Sequence, residues 1–437
     1  MRSIKLTTWI MAGMVLGIAV GAACHGQAAS PAAAKEIAGY FNLVTDIFLR
    51  LIKMIIAPLV FATLVSGIAG MSDGKALGRI GLKAFAWFVT ASFISLSLGL
   101  LFSNLLQPGQ SLGLPLPEVG AATKLATASF SLKDFITHLV PKSFFEAMAT
   151  NAILQILVFS LFFGCAVAAA RPGGAVTVIK LTDEVAHIML TLTGYVMRFA
   201  PVGVFAAVAS AITVQGFDAL ATYGKLLGSF FLAIAALWAV LIAAGFAFLG
   251  PRVFTLVKLL REPIMLGFST ASSESAYPKL MEQLEKFGVS GKITGFVLPL
   301  GYSFNLDGSM MYQAFAALFI AQAYNIDMSL GQQLTMLLVL MVSSKGMAGV
   351  PRGSLVVVAA VLPMFGLPEA GLLLIMGIDQ ILDMARTGTN VLGNGVATAV
   401  VAKWEGQAGG AAEGAADTAD VGALPVGASV AASMAAR

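Results

Sequence analysis

Long apolar runs separated by short charged loops dominate the chain. They fall at about 6–24, 41–71, 81–106, 148–170, 186–214, 223–250, 293–324, 329–344, 354–366 and 370–402. One membrane crossing needs about 20 apolar residues in helical form. The first run just reaches that length, and most of the others exceed it with tilt to spare. The runs at 329–344 and 354–366 are too short to cross. Between them, Ser343, Ser344, Lys345, Gly346 and then Gly349, Val350, Pro351, Arg352 and Gly353 cannot continue a helix, which predicts a hairpin tip. A second interrupted segment covers about 254–286, with Ser269 to Ser275 near its middle and Pro278 after it. Irregular backbone at membrane depth is tolerated only inside protein or beside a wet cavity, so two broken segments point to a binding site.

Charge orients these runs. Arg2 and Lys5 place the amino terminus inside, and the run from Trp9 to Ala23 reads as an uncut first helix rather than a cleaved leader. Lys75, Arg79 and Lys83, then Arg171 and Lys180, then Arg252, Lys258 and Arg261 mark further inside loops. Lys279, Lys286 and Lys292 return the first hairpin to the inside, and Lys403 ends the last helix there. Eight crossings plus two half-way hairpins satisfy the positive-inside bias throughout. The Ala/Gly-rich stretch 405–437 reads as a disordered cytoplasmic tail.

Composition narrows the class. Of 437 residues 58% are hydrophobic and 11% charged, against about 25% charged in soluble domains. Mean hydropathy is +0.89. The lipid bilayer is therefore the natural partner. A net charge of +4 suits cytoplasmic loops and not nucleic acid. Two cysteines and three histidines leave no disulfide framework or Cys/His metal cluster, and His25, His138 and His187 fall near span ends. No nucleophile–base pair stands out, so an enzyme is not expected, nor is a resident cofactor or metal.

The last span concentrates the chemistry. Asp379, Asp383, Arg386, Asn390 and Asn394 are spaced 4, 3, 4 and 4. At about 100° per residue they share one face, which Thr387 borders. Each such charge costs about 2.5–3.5 kcal/mol in lipid. The stripe must therefore face protein or a cavity. A buried Asp–Arg pair that only locks helices together accounts for two of these residues and leaves the rest unexplained. An earlier span carries Gly301, Ser303, Asn305, Asp307, Gly308 and Ser309, a sequence that suggests a local break. Unwound carbonyls there, with Asn305 and Asp307, offer hard oxygen ligands to a cation. Ser272 and Ser273 add hydroxyls and backbone N–H groups at the first hairpin tip.

These motifs, in this order, resemble the dicarboxylate/amino acid:cation symporters, the glutamate-transporter family. The likeness covers nearly all of 5–405 and rests on Ser272–Ser273, Asn305–Ser309, Ala348–Pro351 and Asp383–Asn390. It implies an all-α membrane protein with eight transmembrane helices, two re-entrant helical hairpins, inverted repeats and elevator-type transport by a homotrimer. Scaffold helices 1 and 2 would lie in 1–71, transport-domain helix 3 in 80–106, scaffold helices 4 and 5 in 148–214, and the remaining transport domain in 223–404.

The resemblance also assigns roles. Arg386 matches the residue that holds a substrate side-chain carboxylate, and a guanidinium meets carboxylate through two parallel donors. Asp383 matches the ammonium ligand. Ser272, Ser273, Gly349, Val350, Thr387 and Asn390 complete the substrate set. An acidic amino acid, glutamate or aspartate, fits; a C4-dicarboxylate would confront Asp383 with a like charge. Gly301, Ser303, Asn305, Asp307 and Asn390 match the cation-coupling positions, and Asn394 occupies a further one with an amide in place of the acid, so a sodium site is weakened but not erased. Phe88, Ala91, Met347 and Asn394 stand where sodium-dependent members carry oxygen ligands or an acid, and Gln313 stands where animal members carry glutamate. Protons are therefore expected over sodium as the coupled ion, with Asp307, Asp379 and Glu274 as candidate carriers. Lys345 and Arg352 flank the second tip, either attracting anions or snorkelling. The membrane is expected to be a bacterial inner one, crossed many times.

Overall fold

The computed structural model describes residues 6–69, 74–110, 116–117, 137, 139–170, 175–216, 223–344 and 353–407 (backbone alone at 7 and 74–76). Among them the regular structure is helical, as apolar runs require when no water is present to satisfy the backbone.

The first helices are long: α1 Leu6–Gln27, α2 Pro31–Ala69 and α3 Gly74–Leu106. The short α4 Phe144–Ala149 precedes α5 Ile153–Ala169, and α6 Val176–Val196 passes through a single tight turn into α7 Ala200–Gln215. Then come α8 Gly224–Leu249 and the hairpin of α9 Arg252–Thr270 with α10 Ser273–Phe287. A broken pair follows, α11 Gly291–Phe304 and α12 Asp307–Ala323, then α13 Leu330–Ser343 and α14 Gly353–Val361. The chain closes with α15 Leu372–Met376 and α16 Asp379–Trp404.

Several boundaries depart from the apolar pattern. α2 begins ten residues before its run because Ser30 accepts the Ala33 N–H (3.2 Å) and Pro31 takes the first helical position, where its missing N–H costs nothing. The run at 148–170 is split by Asn151, which adopts a left-handed conformation (φ 51°) between α4 and α5. The tail boundary also moves. Glu405 is bound by Arg79 and Lys83, and Gln407 accepts from Ser290, so residues 405–407, read from the sequence as tail, are held in place by these contacts. By length and apolar character five helical segments suffice to cross a membrane: Thr8–Gln27, Pro31–Ala69, Leu77–Leu106, Val176–Gln215 and Gly224–Leu249. The pair α11/α12 is divided by its break, and α16 is too polar along its length, with Thr387, Thr389, Asn390, Asn394 and Thr398 adding to its charges.

Packing divides the helices into two neighbourhoods. α1, α2, α5, α6 and α7 pack on one another; α3 and α8 pack with the α9/α10 hairpin, α11, α12 and α16. Contacts of α2 with α10 and α11, and of α7 with α9, join them. α12 and the second half of α16 are buried on almost every side. Their polar residues therefore lie in the protein interior, not against lipid.

Candidate functional site

The polar face of α16 is drawn together around Arg386. Its Nε donates to Asp383 Oδ1 at 2.8 Å and its Nη1 to Asp379 Oδ1 at 3.2 Å. Tyr312 of α12 lies under the guanidinium (4.5 Å from ring centroid to Cζ) and donates its hydroxyl to the same Asp379 oxygen at 3.1 Å. Thr387 donates to Asp383 Oδ1 at 3.2 Å. Arg386 is only 2% exposed. Burying a guanidinium is tolerable because both carboxylates, three and seven residues before it, share its helix face.

One turn further on, Asn390 ties this face to the break between α11 and α12. Its Oδ1 accepts from the backbone N–H of Gly308 (2.9 Å) and Ser309 (3.3 Å), and its Nδ2 donates to Ser309 Oγ (3.0 Å). The side chain thus satisfies the open N-terminus of α12, as a cap would. Asp307, fully buried, accepts from Asn305 Nδ2 (3.1 Å) and Ser95 Oγ (3.4 Å). Gly393 and Gly301 allow the close crossing. A Cβ on Gly393 would strike Asp307 Oδ2, and one on Gly301 would strike Asn394 Oδ1. Around the crossing, Ser303 Oγ, Asn305 Oδ1 and both polar atoms of the Asn394 amide are buried with no hydrogen-bond partner. Orphaned buried acceptors are rare, and a desolvated cation would satisfy them.

The first hairpin tip turns through Ala271 in a left-handed conformation (φ 49°). Ser272 caps α10 by accepting the Ser275 N–H at 3.4 Å, and the Ser273 carbonyl accepts the Tyr302 hydroxyl at 2.8 Å. Glu274 does not join the α16 cluster; it meets Lys53 of α2 at 3.5 Å. Gly349 and Val350, with Lys345, Met347, Arg352 and His138, lie outside the described residues.

A model of the sodium:dicarboxylate symporter family matches residues 6–404. The chain belongs to this family. It is 42% identical over 419 residues to the proton/sodium-glutamate symport protein of Bacillus caldotenax, an alignment covering 93% of this chain and 96% of that one. It is 39% identical over 414 residues to the proton/glutamate-aspartate symporter of Escherichia coli strain K12, covering 93% and 94%. The C4-dicarboxylate transport protein of Citrifermentans bemidjiense is 42% identical over 368 residues, covering 83% and 84%.

For a symporter of this family, the structure adds residues that the sequence reading passed over. Tyr312 supports both Arg386 and Asp379, Ser95 reaches Asp307, and Trp238 of α8 donates to Thr389 Oγ1 at 2.9 Å. A tyrosine in an otherwise apolar stretch was the available signal, because a buried hydroxyl needs a partner. Among the described residues no group of three or more His, Cys, Asp or Glu could hold a metal ion, so any cation here relies largely on neutral oxygens.

Proposed function

We propose that this symporter imports an acidic amino acid, glutamate or aspartate, across a bacterial inner membrane together with cations. The observation that carries the reading is one buried guanidinium flanked by two carboxylates on a helix face that also ends in orphaned oxygens. A ligand with two carboxylates and an ammonium complements that set: its side-chain carboxylate takes Arg386, and its ammonium takes Asp383. Thr387, Asn390, Ser272 and Ser273 complete the enclosure, with Gly349 and Val350 of the second tip. Asp379 and Tyr312 keep the guanidinium aimed. The names of the Bacillus caldotenax and Escherichia coli relatives support the same substrate class.

In this reading eight helices cross fully, two hairpins enter half-way, and the α3, α8 and α9–α16 unit carries the substrate past a scaffold of α1, α2 and α4–α7 in a homotrimer. It is a carrier and not an enzyme, and it needs no resident cofactor. Moving one negative charge inward against about 100 mV costs about 2.3 kcal/mol, so at least two cations must accompany it before the potential helps. Protons are the proposed ions, with Asp307 and Glu274 as their carriers. Asp379 is less suited, because Arg386 and Tyr312 already hold its carboxylate. One observation favours a second reading: the unpartnered Ser303, Asn305 and Asn394 oxygens near Gly301 suit sodium.

Uptake into proteoliposomes with proton and sodium gradients imposed separately decides between the ions. Glutamate and aspartate should accumulate under a pH gradient alone. Accumulation under sodium alone would transfer the coupling to the asparagine site. Succinate uptake with no amino-acid uptake would make the chain a C4-dicarboxylate carrier, like its Citrifermentans relative.

A further inference from the structure

The seam between the two helical neighbourhoods carries an ion pair that the substrate chemistry leaves unused. Lys53 of α2 meets Glu274, the second residue of α10, at 3.5 Å. Lys53 stands on the proposed scaffold and Glu274 at the tip of the first hairpin, so sliding one unit past the other pulls the pair apart. The charges along α2 make that separation one-sided. Toward its start lie Arg50, Asp46, Glu36 and Lys35, whereas the run 54–69 beyond Lys53 carries no charged residue. In the proposed orientation that uncharged run leads inside. A tip that moves inward with Glu274 ionised leaves its cation and meets no other on α2. A carboxylate without a counter-ion is costly at membrane depth, and a protonated carboxyl is not.

Other groups near the tip do not replace Lys53. Tyr302 of α11 gives its hydroxyl to the Ser273 carbonyl and lies edge-on against Tyr277. On α16, Asp383 is turned to Arg386 and Thr387; on α9, Glu262 pairs with Lys279. Lys53 is half exposed and lines a cavity of about 330 Å³ with Arg50 and Asn151, so its ammonium has room to stay behind when the tip departs. We infer that Lys53 is a coupling residue: its pair with Glu274 holds the moving unit in this position, and a proton on the Glu274 carboxyl opens the latch for inward passage. The proton enters from the outer medium and leaves to the inner one, and the carboxyl O–H is the bond that forms and breaks. The inference deepens the proton reading above and rests on it and on the moving unit.

The test uses the full-length protein in proteoliposomes, with labelled aspartate exchanged at equal pH on both sides, from mildly acid to mildly alkaline buffer. Parent exchange should slow about fivefold over that range, the scale of one partly exposed ion pair. Lys53→Gln should flatten the profile while its aspartate affinity, measured by calorimetry, stays unchanged, and Lys53→Arg should keep the parent profile. With Cys24 and Cys165 replaced, Lys53→Cys and Glu274→Cys joined by a short cleavable bis-thiol reagent should stop exchange, and cleavage of the bridge should restore it. Exchange that continues through an intact bridge overturns the latch. A parent-like profile in Lys53→Gln overturns the inference alone and leaves proton coupling to Asp307. A parent that responds to sodium and not to pH overturns the proton reading, and the inference with it.

Discussion

At the scale of single residues, the decisive contact is Asp383 on Arg386. Asp383→Asn should abolish glutamate and aspartate binding while leaving succinate binding intact or improved, measured by calorimetry on purified protein. Normal aspartate affinity would refute the ammonium role. Thermal stability should fall as well, because halving the negative charge around a buried guanidinium removes part of its compensation. Gly393→Ala places a methyl group against the Asp307 carboxylate. Overpacking of that kind costs about 1–3 kcal/mol; a lowered melting temperature with lost uptake is the expected outcome, and an unchanged one would show that α16 can shift at no cost. The stripe itself was readable from the sequence, since five polar residues at helical spacing have few other uses in a membrane. What spacing could not convey is which partners each group takes. Asn390 is occupied with Gly308 and Ser309, and Tyr312 enters from a helix whose other residues are mostly apolar.

Helical elements follow the apolar runs where those runs are uninterrupted, and depart from them where a cap or a break intervenes. Ser30 and Pro31 start α2 early, and Asn151 divides α4 from α5, because local backbone chemistry outweighs hydropathy at helix ends. The residues just past the end of α16 depart from the sequence pattern for a different reason. Its low-complexity continuation conceals Glu405, whose side chain is almost wholly buried between Arg79 and Lys83 of α3. The hydrogen bond from Arg79 holds the Glu405 carboxyl below the usual carboxylate range, with Lys83 adding to it. A depressed acid stabilises the fold fully above its unfolded pKa of about 4.3 and loses that contribution as pH falls through the lower folded value. The melting-temperature difference between parent and Glu405→Gln should therefore be constant from neutral pH to about pH 5 and vanish in stronger acid. A difference that persists undiminished there would assign the residue a packing role only.

The whole molecule makes a topological prediction. With Cys24 and Cys165 replaced, a cysteine at Ala29 should react with an impermeant maleimide from outside the cell, and one at Gln407 only after permeabilisation; labelling both from one side would break the proposed orientation. A further consequence follows from the way Arg386 is held. Arg386 takes two carboxylates, Asp379 and Asp383, from its own helix. On the transport reading proposed above, counter-charge and anchor travel as one covalent unit, so the guanidinium never crosses the hydrocarbon as a lone cation.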